Sequence, residues 1–178
     1  ASWLSEEETF LGAHFNSAVG IAGADSLFLD GRLEQSFGSN WRIGAAARAG
    51  FTRPRGGPFV ADGSQLFSEA WSQDVSRYGN LSVADSSGLR ISQPLRVSGG
   101  ELALDLPVAF DYAPETPILG RQRLSLSPEG REIMGEGAWG SPLLFGYASA
   151  SAFYRHQPGH FANAPADVGA LISFNASF

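Results

Sequence analysis

The sequence predicts an all-β, antiparallel fold, a transmembrane β-barrel of about ten strands spanning residues 1–178 as a single domain. Three observations predict it. Apolar and polar residues alternate with period two through most of the chain, and no 3.6-residue period is sustained. Several alternating segments run for about 11–13 residues, beyond the usual five or six of a soluble strand and close to the roughly 9–11 of a tilted membrane crossing. The apolar faces from Trp41 to Phe51 and from Leu102 to Tyr112 place aromatics near strand ends, where membrane interfaces would lie. A soluble β-sandwich shares the alternation and is the competing architecture, with its charges turned to water and its apolar faces meeting.

Composition agrees with many tight turns. The chain has 22 glycines, 12% aromatic residues and 17% charged residues, the last below the usual quarter. There is no cysteine, which removes disulfides, thiol nucleophiles and cysteine-ligated metals. The net charge of −6 lacks the basic footprint that nucleic acid requires. No apolar run approaches the roughly 18 residues of a membrane helix, and no signal peptide opens the chain. A barrel needs no such run, because alternate residues face a wet interior.

The elements follow in order. Acidic residues near the start precede a strand predicted at 9–18, where Leu11, Ala13 and Phe15 alternate with Gly12, His14 and Asn16. Ile21 to Asp25 reads as a loop. From Ser26, Leu27, Leu29, Leu33 and Phe37 share one face, with Asp30, Arg32 and Glu34 on the other. After the turn Gly38-Ser39-Asn40, Trp41, Ile43 and Phe51 oppose Arg42 and Arg48, completing a hairpin. Arg53 to Ser64, with two prolines and three glycines, is a loop. Residues 65–78 form a strand in which Trp71, Gln73 and Val75 oppose Ser72, Asp74 and Ser76.

A connection through about residue 86 leads to Leu89, Ile91, Gln93, Leu95 and Val97, opposed by Arg90 and Arg96. Gly99-Gly100 predicts a hairpin turn, since both residues tolerate positive φ. Beyond it Leu102, Leu104, Leu106, Val108 and Phe110 oppose Glu101, Asp105 and Asp111. After a connection through about residue 119, Leu124 and Leu126 alternate with Arg123, and Ser127 to Gly130 turns the chain. Ile133 and Trp139 oppose Glu132 and Glu136, and Gly140-Ser141-Pro142 predicts another turn. The faces of 143–156 do not separate by pattern. Gln157 to Pro165 is the last loop.

The final stretch has the clearest alternation. Val168, Ala170, Ile172, Phe174, Ala176 and Phe178 share one face; Asp167, Gly169, Leu171, Ser173, Asn175 and Ser177 share the other. If Phe178 lies on the periplasmic side, loops 18–25, 54–64 and 157–166 fall outside, as long barrel loops do. Gly99-Gly100 and 128–130 would then be short external turns, and 79–86 and 112–120 longer periplasmic ones, an imperfect fit.

A family resemblance rests on particular stretches. Gly88-Leu-Arg-Ile-Ser-Gln-Pro-Leu-Arg-Val97 with Gly99-Gly100, Leu124-Ser-Leu-Ser-Pro-Glu-Gly-Arg-Glu132, Asp25 to Phe37, and Tyr154-Arg-His-Gln-Pro-Gly-His160 before a Phe-terminated strand carry it. Together they resemble the carboxy-terminal translocator barrel of autotransporters, closest to those attached to subtilisin-like serine proteases in Sphingomonas-type proteobacteria. The resemblance implies an integral outer-membrane domain that anchors and exports an N-terminal passenger by type V secretion. Outer-membrane lipid, the barrel-assembly machinery and the passenger are the implied partners, with other envelope proteins a further class. Gly169, Ile172, Phe174 and Phe178 stand where the assembly signal would be. The family barrel has about twelve strands, so the resemblance places a strand pair, a pore helix and the passenger upstream, with Ala1 a processing boundary, or else makes this barrel smaller than its relatives.

Chemistry is sparse. The inward-facing residues expected are Asp30, Arg32, Glu34, Arg42, Arg48, Asp74, Arg90, Arg96, Asp105, Asp111, Arg123, Glu132 and Glu136. Mixed charges keep a lumen hydrated for a passing polypeptide, or pair into a salt-bridged filling. His14 stands alone, and His156 and His160 flank a turn without a third ligand, so no metal or other cofactor is expected. There is no nucleophile elbow, phosphate loop or zinc-helix motif, and the subtilisin triad is absent. The alternatives are a small outer-membrane enzyme, a lipid A deacylase or omptin-like protease using Tyr154 to His160, and a passive pore or structural barrel in an envelope complex.

Overall fold

The computed structural model describes residues 1–7, 9–12, 14, 21–57, 59–143 and 145–176. Nine strands account for most of them: β1 (Ser2–Glu7), β2 (Gly23–Phe37), β3 (Trp41–Arg55), β4 (Gln65–Tyr78), β5 (Ser86–Asp111), β6 (Thr116–Leu124), β7 (Ile133–Leu143), β8 (Gly146–His156) and β9 (Asp167–Ala176). They form one antiparallel sheet in the order β1-β2-β3-β4-β5-β7-β8-β9, with β6 on β5 beside that path. Among the described residues the sheet is open, and no ladder joins its edge strands β1 and β9.

The all-β antiparallel expectation holds, with nine strands in place of about ten. The largest correction is at Gly99-Gly100, which is no turn. β5 runs straight through it for 26 residues. Gly100 has φ +91°, and a Cβ there would stand 2.2 Å from the Gln65 carbonyl oxygen, so the glycine lets β4 approach closely. β5 serves two partners in succession: Ser86 to Ser92 pair with β7, and Leu102 to Asp111 pair with β6. The reversal comes instead at 112–115, where Glu115 takes φ 55°. Gly140-Ser141-Pro142 is likewise in-strand, paired with Ser149, Ala148 and Tyr147. Ser2–Glu7 pairs with β2, which begins at Gly23 inside the expected loop. The strand predicted at 9–18 lies largely outside the described residues; of those described, Phe10 forms a bridge and Leu11 and Gly12 turn.

The chain divides into two compact units. Unit 1 comprises 1–29, 49–69 and 97–127. It has a small core in which Phe10, Ala24 and Leu66 are buried against Ile21, Val97 and Leu126. Glu6 holds the turn that delivers Phe10, accepting from the backbone N–H groups of Leu11 at 3.1 Å and Gly12 at 2.7 Å. The loop after β3 docks on β5: Ala61 N donates to Ala103 O at 2.9 Å and Asp105 N to Phe59 O at 2.8 Å. Ser64 Oγ accepts from Ala103 N at 2.9 Å, completing the join.

Unit 2 comprises 30–48, 70–96 and 128–178. Among its described residues no apolar side chain is buried; the buried ones are Ser72, Asp85, Ser92, Gln93, Glu132 and Ser141. Most of its described large apolar residues are exposed, Leu33 at 78% and Ile172 at 83% among them, while Trp71, Val75, Ile133, Met134 and Trp139 are half-buried. This inverts the arrangement of a water-soluble domain.

Candidate functional site

In unit 2 the ladders fix which residues share a face. Arg90, Glu136, Phe153 and Gly169 align across β5, β7, β8 and β9, and Ser92, Met134, Arg155 and Asp167 align in the next row. The opposite face carries Ile91, Gly135, Tyr154 and Val168. This separates the two faces of β8 that the pattern left open. Ala148, Ala150, Ala152 and Tyr154 join the apolar face; Tyr147, Ser149, Ser151, Phe153 and Arg155 join the polar one. The Phe153 ring fills the space above Gly169, where a Cβ would stand 2.4 Å from it. On β2 to β4, Arg48 Nε binds Asp30 Oδ1 at 2.5 Å and Arg32 Nη2 binds Glu34 Oε1 at 2.5 Å. Arg42 lies within the field of Glu34 and Asp74 within that of Arg32. The Asp74 carboxylate occupies the space that a side chain at Gly44 would take.

Unit 1 has a charged ladder of its own. Arg121 clasps Asp105 at 3.0 and 3.1 Å, and Arg123 Nη1 binds Glu101 Oε1 at 2.8 Å. Asp111 does not join them, contrary to the alternation. Val108 is an extra residue between the Pro107↔Leu119 and Ala109↔Ile118 pairs, and this bulge flips every later side chain to the other face. Asp111 therefore shares the face of Leu102, Leu104 and Leu106, and Phe110 moves to that of Asp105. Arg121, which alternation alone did not single out, holds the stronger pair.

The most tightly bonded cluster of unit 2 surrounds Glu132. β5 has no ladder with β7 beyond Ser92, and Pro94 has no N–H to offer one. Side chains take over there. Arg96 Nη2 donates to Pro128 O at 3.1 Å, and His160 Nε2 lies 3.2 Å from Leu95 O. His160 Nδ1 accepts from Glu132 N at 2.9 Å, so its proton sits on Nε2 and is donated to Leu95. Glu132, only 3% exposed, accepts Arg155 Nε on Oε1 at 2.7 Å and Gly159 N on Oε2 at 2.6 Å. Arg155 Nη1 also reaches Asp167 at 3.3 Å.

Gln157 and His160 adopt left-handed φ of 50° and 62°, a strain held by this network. Arg155, helped by the Gly159 N–H, holds the Glu132 carboxyl below its ordinary value against the opposing effect of burial. Both imidazole nitrogens of His160 are engaged with the backbone and both Glu132 oxygens with donors, so the cluster is a latch that ties the last loop to β5 and β7. Sequence alternation marked Glu132 and Arg96 but missed Arg155 and Asp167. The available signal was that these two flank the one loop carrying His160.

A second buried carboxylate lies at the other end of β7. Asp85, 1% exposed, accepts from Asn80 N at 2.6 Å, Leu81 N at 2.9 Å and Trp139 Nε1 at 3.1 Å. Burial pushes its pKa up, and these donors outweigh burial and leave it lowered. No pattern singled it out, because an aspartate in a serine-rich turn looks like any solvated one.

Of the expected assembly signal, Ile172 and Phe174 stand exposed on the apolar face and Gly169 lies under Phe153; Phe178 is outside the described residues. No group of three metal-binding side chains occurs among the described residues. No family model, curated protein or solved structure matches the chain significantly.

Proposed function

We propose that the chain is a membrane-spanning β-domain of the outer membrane, the translocator and anchor of an autotransporter, as its family resemblance implies. One observation carries the membrane reading. Among the described residues of unit 2 the buried side chains are all polar and most of the large apolar ones are exposed, while the other face carries ion pairs. In water such a domain would bury its Leu, Ile and aromatic residues; in a bilayer the same exposure is what lipid contact requires. Strands of 10–15 residues in β2, β3, β4, β7, β8 and β9 are long enough to cross. Treating β5 as one strand also removes the misfit of short outer turns at Gly99-Gly100, since the reversal at 112–115 falls at the same end of unit 1 as loop 56–64. The latch leaves His160 no free nitrogen, which favours the translocator over the enzyme alternative.

The test is heat-modifiability. Protein extracted from outer membranes in detergent should run as a compact band unboiled and shift on boiling, and a passenger fused upstream should reach the cell surface. Monomeric protein that stays in solution without detergent and shows no shift would overturn the reading.

A further inference from the structure

On the apolar face of unit 2, Gly137, Ala152 and Ala170 lie side by side on β7, β8 and β9, next to Leu89 of β5. Nothing in the first three rises beyond a methyl group. In the neighbouring row Trp139 and Ile172 stand higher. The step between the rows forms part of a concavity of about 670 Å³ that extends to Trp41 and Val75. A second, of about 620 Å³, shares Val75, Leu89, Gly137 and Ala152 and continues to Ile43 and Tyr154. Each lies within the roughly 300–1,000 Å³ typical of small-ligand sites. The walls are apolar, as an acyl chain requires.

One end of the groove is polar and cationic. The Arg77 guanidinium lies 5.2 Å from the centroid of the Trp41 ring. Ser87 lines the same concavity; its Oγ accepts from Asn80 Nδ2 at 2.6 Å, which leaves its own proton to donate, while Asn80 also donates to Arg77 O at 3.3 Å. Among the described residues no carboxylate pairs with Arg77. Asp85 is close by in sequence, but its oxygens are turned in among the N–H donors of Asn80, Leu81 and Trp139 and are not paired with Arg77. Arg77 is the penultimate residue of β4 and Trp41 the first of β3, which puts them at strand ends, where aromatic and basic residues meet headgroups.

We infer that this groove holds an anionic phospholipid of the surrounding bilayer, with an acyl chain over Gly137, Ala152 and Ala170 and the phosphate at the Arg77 guanidinium and the Ser87 hydroxyl. The inference rests on the membrane-spanning reading. Tyrosine and tryptophan emission would be read in phosphatidylcholine vesicles doped with chain-brominated phosphatidylglycerol or, at the same level, chain-brominated phosphatidylcholine. The wild type should be quenched preferentially by the anionic lipid, with an apparent affinity ratio of about fivefold, the effect of one basic residue at a membrane surface. Arg77→Gln should abolish the preference, and Ala152→Leu, which fills the floor, should weaken quenching by both lipids while the heat shift persists. Protein that floats with the vesicles but shows no preference, or a preference that survives Arg77→Gln, would overturn the lipid site and leave the barrel reading intact. Protein that does not float with either vesicle would overturn both.

Discussion

Both units leave large apolar residues exposed, but unit 1 has a buried apolar cluster and the described residues of unit 2 have none. Unit 1 buries Phe10, Ala24, Leu66 and Leu102 together with Ser26, Thr52, Ser64 and Ser68, while Trp3, Leu29 and Tyr112 stay exposed. Among its described residues unit 2 buries Glu132, Asp85 and four uncharged polar residues, and leaves its apolar face exposed. The difference teaches where each draws its stability. Unit 1 has a hydrophobic core; unit 2 has hydrogen-bonded carboxylates at the two ends of β7 and, in the reading proposed here, lipid against its apolar face. A buried carboxylate is costly unless fully bonded, which explains why Glu132 and Asp85 are among the most completely satisfied groups of the molecule.

The largest effect that would sharpen this contrast is expected from Glu132→Ala. It removes the acceptor of both Arg155 and the Gly159 N–H and frees the strained loop at Gln157 and His160. The expected loss is on the order of 3 kcal/mol, read as a lower midpoint of the heat-induced gel shift in detergent. The pH dependence has a definite sign. The folded pKa of Glu132 lies below its ordinary 4.5, so the carboxylate contributes stability above that value and loses it as pH falls through the folded pKa. The wild type should therefore lose heat resistance in acid below about pH 4.5, and Glu132→Gln should show a flatter profile. An unchanged midpoint in Glu132→Ala would mean that unit 2 does not depend on its polar cluster.

The next effect asks what covers the apolar face. Leu33 is 78% exposed on β2. In water an arginine there would change stability by no more than about 0.5 kcal/mol. Facing lipid it should cost about 2 kcal/mol, the long side chain recovering part of the full midplane penalty by reaching toward the interface. Leu33→Arg should accordingly fold less completely into vesicles, as measured by the fraction of heat-shifting protein, with little effect if that face meets water.

Much of the fold was legible in the sequence, because period two survives in long strands and because turns such as Gly38-Ser39-Asn40 have one reading. The misreadings have specific causes. Gly99-Gly100 has turn chemistry, yet serves the close approach of β4 to Gly100, a need that no local pattern reveals. Asp111 was assigned by counting in twos, and the extra residue Val108 defeats such counting. The faces of β8 were ambiguous because Phe153 and Tyr147 sit on the polar face, over glycines of neighbouring strands: Phe153 over Gly169 and the Tyr147 hydroxyl over Gly140. At the site, charge alternation identified the Arg48–Asp30 pair, whereas Glu132 depends on Arg155 and Asp167 meeting it across a loop.

The smallest effect is expected in unit 1, at Arg121. Its pair with Asp105 has good geometry, with two bonds of 3.0 and 3.1 Å, but the two side chains remain 50% and 33% exposed. Water and salt screen such a pair, and side-chain ordering offsets much of its attraction. Arg121→Gln should therefore leave the midpoint of the heat-induced shift within error of the wild type, with any difference disappearing in high salt. The comparison with Glu132→Ala then decides what the charged faces are for. A midpoint loss at Arg121 as large as that at Glu132 would make the exposed pairs part of a stabilising filling. A negligible loss would mean that such exposed pairs add little to stability and that Glu132 owes its effect to burial.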